Sequence, residues 1–347
     1  MTKLISTITI SALALAVSIL SGCQKHDDNF THTRKRIASG VSYEQLQRPK
    51  LAQQEPLSIH VLTVDPSKAS MDIVLAQDKV LGKETTSSMA TRSKASAAIN
   101  GGFFIMQGAY RGDVDGFFSK DGKILSEPAE KRSSFGFCTT PKGQKTFFEQ
   151  FELKSFIPQD GGNPIQIDGI NRKPKEGESI LLTDEMGEGA TIDQDMSVIL
   201  GNGTSGSDIE HNLKSLRSGS NFPIENCSFT SAGPTLILNG KVINDYTPES
   251  PKFAGDFVAK PHPRTAVGQK KDGTLLFVVV DGRQPKSSVG MTLPELAKFM
   301  KELGAYNAYN LDGGGSSTMV IENVIVNNPS DEKGERPTSD AIIVKSK

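Results

Sequence analysis

Residues 275–318 read LLFVVVDGRQPKSSVGMTLPELAKFMKELGAYNAYNLDGGGSST and contain the clearest structural signals of the chain. The apolar run Leu275–Val280 is typical of a strand that is buried on both faces. Thr292 and Glu295 have the spacing of a capping box, and apolar residues follow them at helical intervals. A second strand is predicted over residues 306–311. The segment therefore predicts strand, helix and strand in succession.

A connection of this length favours a right-handed crossover between two parallel strands. From about residue 46 onward, short alternating segments and the hairpin signals Asp121-Gly122, Asn239-Gly240 and Asp272-Gly273 indicate further β-structure. We therefore expect an α+β or mixed α/β class. The expected form is a single compact domain with a mixed β-sheet, several hairpins and one strand-helix-strand crossover near the C-terminus.

Two carboxylates follow the two predicted strands directly. Asp281 comes after the apolar run, and Asp312 comes after the second strand. Parallel strands end at the same edge of a sheet, where ligands bind in open α/β folds. Neighbouring strands are about 4.8 Å apart, and one intervening strand doubles that distance. Pairs of carboxyl groups about 5–9.5 Å apart cleave glycosidic bonds. The pattern permits such a pair.

The charge balance excludes one broad class of function. The 347 residues include 39 Lys and Arg against 40 Asp and Glu, for a formal net charge of −1. A polybasic nucleic-acid binder is therefore excluded, and no nucleic-acid partner is expected. The 36% of hydrophobic and 23% of charged residues also exclude a charge-driven disordered chain.

The N-terminus has the pattern of a secretory leader. Lys3 supplies positive charge, an apolar run covers residues 4–20, and Leu20-Ser21-Gly22-Cys23 resembles a bacterial lipobox. This resemblance implies a signal peptide over residues 1–22 and lipidation of Cys23, which would anchor the protein to a membrane through acyl chains. Gln24 resembles an outer-membrane sorting signal. We expect a lipid-anchored protein of the cell envelope, at the outer membrane on its periplasmic side or at the surface.

The remaining chain is expected to have two parts. Residues 23–45, polar after the lipidated cysteine, are predicted to be a flexible tether, and residues 46–347 the folded domain. Cys138 and Cys227 then have one possible pairing in an oxidising compartment, and the sequence leaves open whether they pair. Their spacing matches no metal site.

A glycine-rich loop and three arginines suit an anionic ligand. Residues 313–317, GGGSS, let backbone N–H groups approach a ligand closely and add two hydroxyls, as an anion or a sugar phosphate requires. The loop lacks the lysine of a P-loop, which disfavours nucleotide triphosphates. Arg264, Arg283 and Arg336 carry guanidinium groups that match phosphate geometry.

Several short motifs occur in a fixed order. They are Asn100-Gly101-Gly102-Phe103-Phe104, Ser231-Ala232-Gly233-Pro234, Pro263-Arg264-Thr265-Ala266, Asp281-Gly282-Arg283, Met291-Thr292-Leu293-Pro294-Glu295-Leu296-Ala297, Asn310-Leu311-Asp312-Gly313-Gly314-Gly315-Ser316-Ser317-Thr318 and Gly334-Glu335-Arg336-Pro337. The series resembles the phosphodiester glycosidase family over about residues 95–345. Residues 155–225 carry no recognised motif.

The resemblance implies a hydrolase that cleaves a sugar–phosphodiester bond on envelope or extracellular glycans, with a carbohydrate phosphodiester as substrate and no required cofactor. The motif positions that it carries over as site candidates are Asn100, Gly101, Arg264, Asp281, Arg283, Asn310, Asp312, Gly313, Gly314, Ser316, Ser317 and Arg336. Asp312 is the first choice for nucleophile or base, and Asp281 the second. The arginines would clamp the phosphate, with Arg264 placed in the catalytic set, and Asn100 and Asn310 would hold sugar hydroxyls.

Two other functions compete with this hypothesis. One is a non-catalytic glycan-binding lipoprotein in exopolysaccharide assembly. The other is a metal-dependent phosphodiesterase, for which Asp113, Asp115, Asp281 and Asp312 would supply oxygen ligands, although ligand histidines at usable spacing are missing. The metal content is left open, including a structural divalent ion near the glycine loop.

Overall fold

The computed structural model describes residues 29–187, 197–200 and 209–347. The helices are α1 (Thr86–Arg92), α2 (Asp256–Ala259) and α3 (Leu293–Glu302), and 3₁₀ turns lie at Ala76–Asp78, Asp184–Met186 and Gly314–Ser316. The strands are β1 (Thr31–Ala38), β2 (Val41–Arg48), β3 (Leu57–Val64), β4 (Ala69–Leu75), β5 (Ala97–Asn100), β6 (Phe118–Lys120), β7 (Lys123–Ser126), β8 (Ser133–Thr140), β9 (Gly143–Ile157), β10 (Ile165–Ile167), β11 (Gly169–Ile170), β12 (Ser179–Leu182), β13 (Ser197–Leu200), β14 (Glu210–Ser215), β15 (Cys227–Ser231), β16 (Thr235–Leu238), β17 (Lys241–Val242), β18 (Arg264–Gln269), β19 (Leu275–Val280), β20 (Asn307–Asn310), β21 (Met319–Ile321), β22 (Val324–Ile325) and β23 (Asp340–Ser346).

The predicted α+β or mixed α/β class is wrong, because the molecule is β-rich and its sheets are mainly antiparallel. The largest sheet has the order β1-β2-β3-β19-β18-β20-β16-β17. A second sheet has the order β10-β9-β8-β15-β6-β7, with β14 also paired to β9, and a third has the order β22-β21-β5-β23-β4. Among the described strands, parallel pairing is confined to β11, β12 and β13.

The predicted class rested on one strand-helix-strand connection, and the order of the strands within the sheet overturns it. Helix α3 does lie between β19 and β20 in sequence, and its capping box is formed by Thr292 and Glu295. However, β18 lies between these two strands and pairs antiparallel with both, through Arg264 opposite Val280 and Ala266 opposite Asn310. The two strands therefore run in the same direction but are not hydrogen-bonded to each other, which is the alternative with one intervening strand.

The core lies on both faces of the largest sheet. On β19, Leu275, Phe277 and Val279 face one apolar cluster, which is shared with β4, β5 and β23. Leu276, Val278 and Val280 face a second cluster, which contains the apolar residues of α3. All six side chains of this strand are buried, and burying each stabilises the fold by about 1.5–3 kcal/mol. The predicted burial on both faces is confirmed.

Local turn signals also predicted the structure correctly. Asp121-Gly122 joins β6 to β7, Asn239-Gly240 joins β16 to β17, and Asp272-Gly273 lies between β18 and β19. The first two dipeptides have positive φ at both positions, as type I′ hairpins require. Cys138 and Cys227 lie opposite each other on β8 and β15 and form a disulfide, which settles the pairing that the sequence left open.

The predicted flexible tether is wrong for residues 31–45, which lie in the hairpin β1–β2 at the edge of the largest sheet. Strand β2 pairs with β3 over its whole length, so the predicted domain start at residue 46 lies inside a strand. The predicted leader and Cys23 lie outside the described residues. No helix in the part of the chain that the structure describes has the length and apolarity to cross a membrane.

Candidate functional site

Three strands of the largest sheet bring the main candidate residues to one edge. Strands β19 and β20 run in the same direction because each is antiparallel to β18. Asp281 follows β19, Asp312 follows β20 closely, and Arg264 opens β18 at that edge. Gly314 N donates to Pro263 O at 2.9 Å, so the glycine loop contacts the beginning of β18. This edge holds the carboxylates and arginines that the sequence pointed to.

The loop that contains Asp312 is fastened to the end of β5. The Asn100 side chain donates to the backbone oxygen of Asp312 at 2.7 Å, and Asp312 N donates to Gly101 O at 3.1 Å. The Asn100 Oδ1 atom accepts from Thr265 Oγ1 at 2.8 Å and from Thr318 N at 3.1 Å. The structure thus gives Asn100 a bracing position behind the loop.

Asp312 is a partly buried carboxylate with an altered acidity. Burial raises its pKa to about 6, and the negative charge of Asp340 adds to this rise. The Ser316 hydroxyl, the Gly313 backbone N–H and the positive charge of Arg336 act in the opposite direction. The Gly313 N–H donates to Asp312 Oδ1 at 2.9 Å. A carboxyl group with a pKa near neutrality can exchange a proton at physiological pH.

Asp340 is a second carboxylate that the sequence analysis missed. It is fully buried at the start of β23, and its Oδ1 atom accepts from Gly102 N and from Ser339 Oγ, each at 3.0 Å. A Cβ atom on Gly101 would lie 2.0 Å from Asp340 Oδ2, so a glycine is required at that position. Burial raises the pKa of Asp340. It stands in no motif, and only its place at the start of a terminal apolar strand could have drawn attention to it.

The carboxylate of Asp281 is enclosed by protein groups. Its Oδ1 atom accepts from Asn327 Nδ2 at 3.1 Å and from Asn328 N at 2.9 Å. Its Oδ2 atom lies 3.2 Å from His60 Nε2, and both side chains are buried. Asn327 also donates to Ser317 O at 3.0 Å. Asp281 therefore holds Asn327 and Asn328 in place, and Asn327 in turn supports the glycine loop at Ser317. His60 and Asn327 have no motif in the sequence.

The three arginines have different surroundings. Arg264 is buried and donates to three backbone oxygens, those of Met291, Phe257 and Lys260. Burial lowers its pKa to about 10, so it remains charged at neutral pH. Arg264 is therefore held largely by protein carbonyls, which leaves fewer donors for a ligand.

Arg336 and Arg283 lie against the glycine loop. Arg336 forms a two-point ion pair with Asp331, at 2.7 and 2.8 Å, and both side chains pack on Gly315. The Arg283 guanidinium lies 3.0 Å from where a Cβ atom on Gly314 would stand. It is exposed and has no hydrogen-bond or ion-pair partner among the described residues. Of the three arginines, Arg283 is therefore the best placed to bind a phosphate, because its N–H donors are free to point at a ligand.

The other polar motif residues support the loop from behind. Asn310 Nδ2 donates to Gly233 O at 2.7 Å, and its Oδ1 atom is buried without a partner among the described residues. Ser317 Oγ lies 3.2 Å from Thr265 Oγ1. Ser316 is fully buried beside Asp312. These contacts keep the loop in one conformation, and preorganisation of this kind favours catalysis.

A cavity of about 220 Å³ lies beside this edge. Its walls include Phe103 and Phe257, which connect the motif at Asn100 with the surroundings of Arg264. Arg132 stands 5.5 Å from the Phe103 ring centroid, and Lys252 adds a second positive charge. Asp115 and Glu130 also line the cavity, so the formal charges of its walls balance, and its volume can hold a sugar-sized group.

The described carboxylates do not form a metal-ligand cluster. Among residues 29–187, 197–200 and 209–347, no group of three or more His, Cys, Asp or Glu is arranged to hold a metal ion. Asp113 and Asp115 line a cavity whose walls do not include the loop of Asp312. Asp281 accepts hydrogen bonds from Asn327 and Asn328. The four carboxylates of the metal-dependent alternative therefore do not converge.

Comparison with known proteins gives a consistent picture. Residues 199–345 match the family model described as phosphodiester glycosidase. A segment of 70 residues is 47% identical to the SPbeta prophage-derived uncharacterized protein YomE of Bacillus subtilis and covers 20% of this chain and 11% of that protein. A segment of 104 residues is 38% identical to N-acetylglucosamine-1-phosphodiester alpha-N-acetylglucosaminidase of Mus musculus, over 28% of this chain and 20% of that enzyme. The matched segments thus span a fifth or less of these relatives.

Solved structures share the fold at 19% sequence identity. A putative exported protein from Burkholderia pseudomallei has a TM-score of 0.73 over 92% of this chain and 97% of its own. The zebrafish N-acetylglucosamine-1-phosphodiester alpha-N-acetylglucosaminidase catalytic domain, auto-inhibited by its pro-peptide, has a TM-score of 0.54 over 91% of this chain and 89% of its own. The resemblance drawn from the motifs is confirmed by the family match and by the 38% identity of the matched segment of the mouse enzyme.

Proposed function

Since residues 199–345 match the phosphodiester glycosidase family model, we propose that the protein hydrolyses the bond between a sugar and a phosphodiester group. The observation that carries the proposal is the position of Arg283, whose unpaired guanidinium lies against the loop that presents Asp312. One anionic substrate could contact both groups.

The leaving group fits this arrangement. Cleavage at the anomeric carbon releases a phosphate monoester, whose second pKa near 6 makes it a good leaving group. The reaction therefore depends less on a general acid than on positive charge at the phosphate, which Arg283 supplies. Arg336 is paired with Asp331, and its positive charge lowers the pKa of Asp312.

Asp312 acts as the nucleophile or base in this proposal. Its carboxylate form either attacks the anomeric carbon or activates a water, and both routes stabilise an oxocarbenium-like transition state. Asp340 helps to set its acidity, and Asp281 and Asn100 hold the loop. Asp312 thus remains the first choice that the sequence suggested, and Asp281 becomes a positioning residue.

The proposal is tested by product analysis with a panel of sugar-1-phosphate diesters in ¹⁸O-labelled water. We expect the label in the sugar, because the bond to the anomeric carbon breaks. We expect Asp312→Asn to reduce kcat by about 10³–10⁴-fold and Arg283→Ala to reduce it by about 10²–10³-fold. Label in the phosphate, or full activity in Asp312→Asn, would refute the mechanism.

A matched control separates site effects from general effects of charge removal. Arg34 is an exposed arginine on β1 that pairs with Glu44. Arg34→Ala should leave kcat unchanged. Circular dichroism of each variant checks that the fold is intact.

We also propose that the enzyme works in the cell envelope, anchored through acyl chains on Cys23, at the outer membrane. The lipobox-like sequence before Cys23 and the polar residues after it support this placement. The substrates would then be envelope or extracellular glycans.

A further inference from the structure

A second cavity continues from the site along one face of a short strand pair. Segment 103–105 runs beside segment 113–115, with Ile105 N donating to Asp113 O and Asp115 N donating to Phe103 O, each at 2.8 Å. Alternate side chains point to the same face of a strand. Asp113 and Asp115 therefore project on the face that carries Phe103, which lines the cavity beside the proposed site.

The second cavity has a volume of about 400 Å³ and shares Asp115 and Ala129 with the cavity lined by Phe103. This volume can accommodate a sugar ring with its substituents. Its polar walls are formed by Asp113, Asp115, Ser126, Glu127, Asp168, Arg172 and Lys175. The shared wall makes the two cavities neighbouring positions on one surface.

Asp113 has an unusual position in this second cavity. Its exposed fraction is 6%, and its Oδ1 atom is buried without a hydrogen-bond partner among the described residues. The other carboxylates of the wall each have a donor: Asp115 pairs with Arg132, Glu127 pairs with Arg172, and Asp168 accepts from Ser179 N. Asp113 is therefore the carboxyl group of this wall with a buried oxygen that has no donor among the described residues.

The charge around Asp113 favours a cation. The walls carry four carboxyl groups and two positive side chains, so their formal charge is negative. Burial, and then the negative charges of Glu127 and Asp115, raise the pKa of Asp113 to about 8. A positive charge placed beside Asp113 would offset these effects and favour its ionised form.

We propose that this second cavity binds the protonated amine of an amino sugar within an extended glycan, with Asp113 as its ion-pair partner. The assignment of the glycan rests on the proposed function, because the neighbouring cavity would hold the sugar next to the reacting phosphodiester. The amine enters as an ammonium group, and the Asp113 carboxyl releases its proton to solvent as the ion pair forms. The substrate is therefore a polymer or oligosaccharide rather than a single sugar phosphate.

The test is isothermal titration calorimetry of the full chain at pH 7 with three probes. They are β-1,4-linked diglucosamine, its di-N-acetylated form and the linear diamine putrescine. We expect diglucosamine to bind at least about tenfold more tightly than either other probe. We also expect its binding heat to vary with the ionisation enthalpy of the buffer, because one proton is released.

Variants identify the residue responsible. Asp113→Asn keeps the shape of the side chain but cannot form an ion pair, so the preference for diglucosamine should fall to less than about twofold. Asp160→Asn, an exposed loop carboxylate outside the cavity, should keep the preference. Equal binding of the free and acetylated sugars to the unmodified protein would overturn the proposal, as would equal binding of putrescine or an unchanged preference in Asp113→Asn.

Failure here is distinguishable from failure of the proposed function. Hydrolysis of a short sugar-1-phosphate diester does not require the second cavity. If that hydrolysis persists while the amine preference is absent, the cavity assignment alone is wrong. If diglucosamine binds through Asp113 but no diester is hydrolysed, the proposed function is wrong and the amine site remains.

Discussion

Asp312 has a partly buried carboxyl group, and its surroundings raise its pKa to about 6. Two sets of influences act on its pKa in opposite directions: burial and Asp340 raise it, while Ser316, Gly313 and Arg336 lower it. The balance leaves a group that is largely ionised at neutral pH and protonated in mild acid. An aspartate fully in water would already be ionised near pH 4.

The pH dependence of the reaction follows from this pKa of about 6. A nucleophile or base acts in its ionised form, so kcat/KM should rise about tenfold per pH unit below pH 6 and level off above it. The measurement is kcat/KM from pH 4 to 8 with one sugar-1-phosphate diester. A rate that falls as the pH rises through 6 would instead make Asp312 a general acid.

At the scale of elements, helix α3 covers one face of the largest sheet and also borders the site. Its N-cap Thr292 accepts from Glu295 N, and the neighbouring residue Met291 accepts from Arg264 Nε at 2.8 Å. Leu293, Leu296 and other apolar residues of the helix pack on β19 and β18. The helix thus links the core to the buried arginine.

Removal of the helix cap should weaken the fold by a measurable amount. Thr292→Ala loses the side-chain acceptor and is expected to lower the free energy of unfolding by about 1 kcal/mol. Urea denaturation followed by circular dichroism measures this change. Lys298→Ala, an exposed change in the same helix, should cost less than about 0.5 kcal/mol. An equal loss in both variants would show that the cap is not the cause.

On the scale of the whole molecule, distant parts of the chain meet at one edge. Asn100 ends β5, Asp281 follows β19, Asp312 follows β20, and Asp340 opens β23. Strand β23 pairs with β5, which places Asp340 beside Gly101 and Gly102. Two sheets therefore contribute to the site, and neither could form it alone.

The proposed membrane anchor concerns the whole molecule in its cell. In a bacterial host with lipoprotein-processing enzymes, labelled palmitate should enter the unmodified protein and be absent from Cys23→Ser. Ser6→Ala, a change in the leader away from the cysteine, should leave the labelling unchanged. Labelling that persists in Cys23→Ser would disprove lipidation at this residue.

Part of the fold and of the site could be read from short segments. The cap of α3, the buried strand β19 and the I′ hairpins at Asp121-Gly122 and Asn239-Gly240 appear as predicted. The motif residues Arg264, Asp281 and Asp312 do lie at one edge of a sheet. Each of these signals depends on a few neighbouring residues or on the direction of a strand.

The amino-acid sequence by itself determined the local elements and the residue types of the site, because periodicity, caps and turns act over only a few residues. Only the tertiary structure decided that β18 separates β19 from β20 and that the sheets are mainly antiparallel. It also decided that Asn100 and Asp281 brace the loop, and that the unpredicted Asp340 stands behind Asp312. These outcomes depend on pairing between segments far apart in the chain. The free energy of such pairing comes from burying side chains of distant segments against each other, which a local sequence pattern cannot predict.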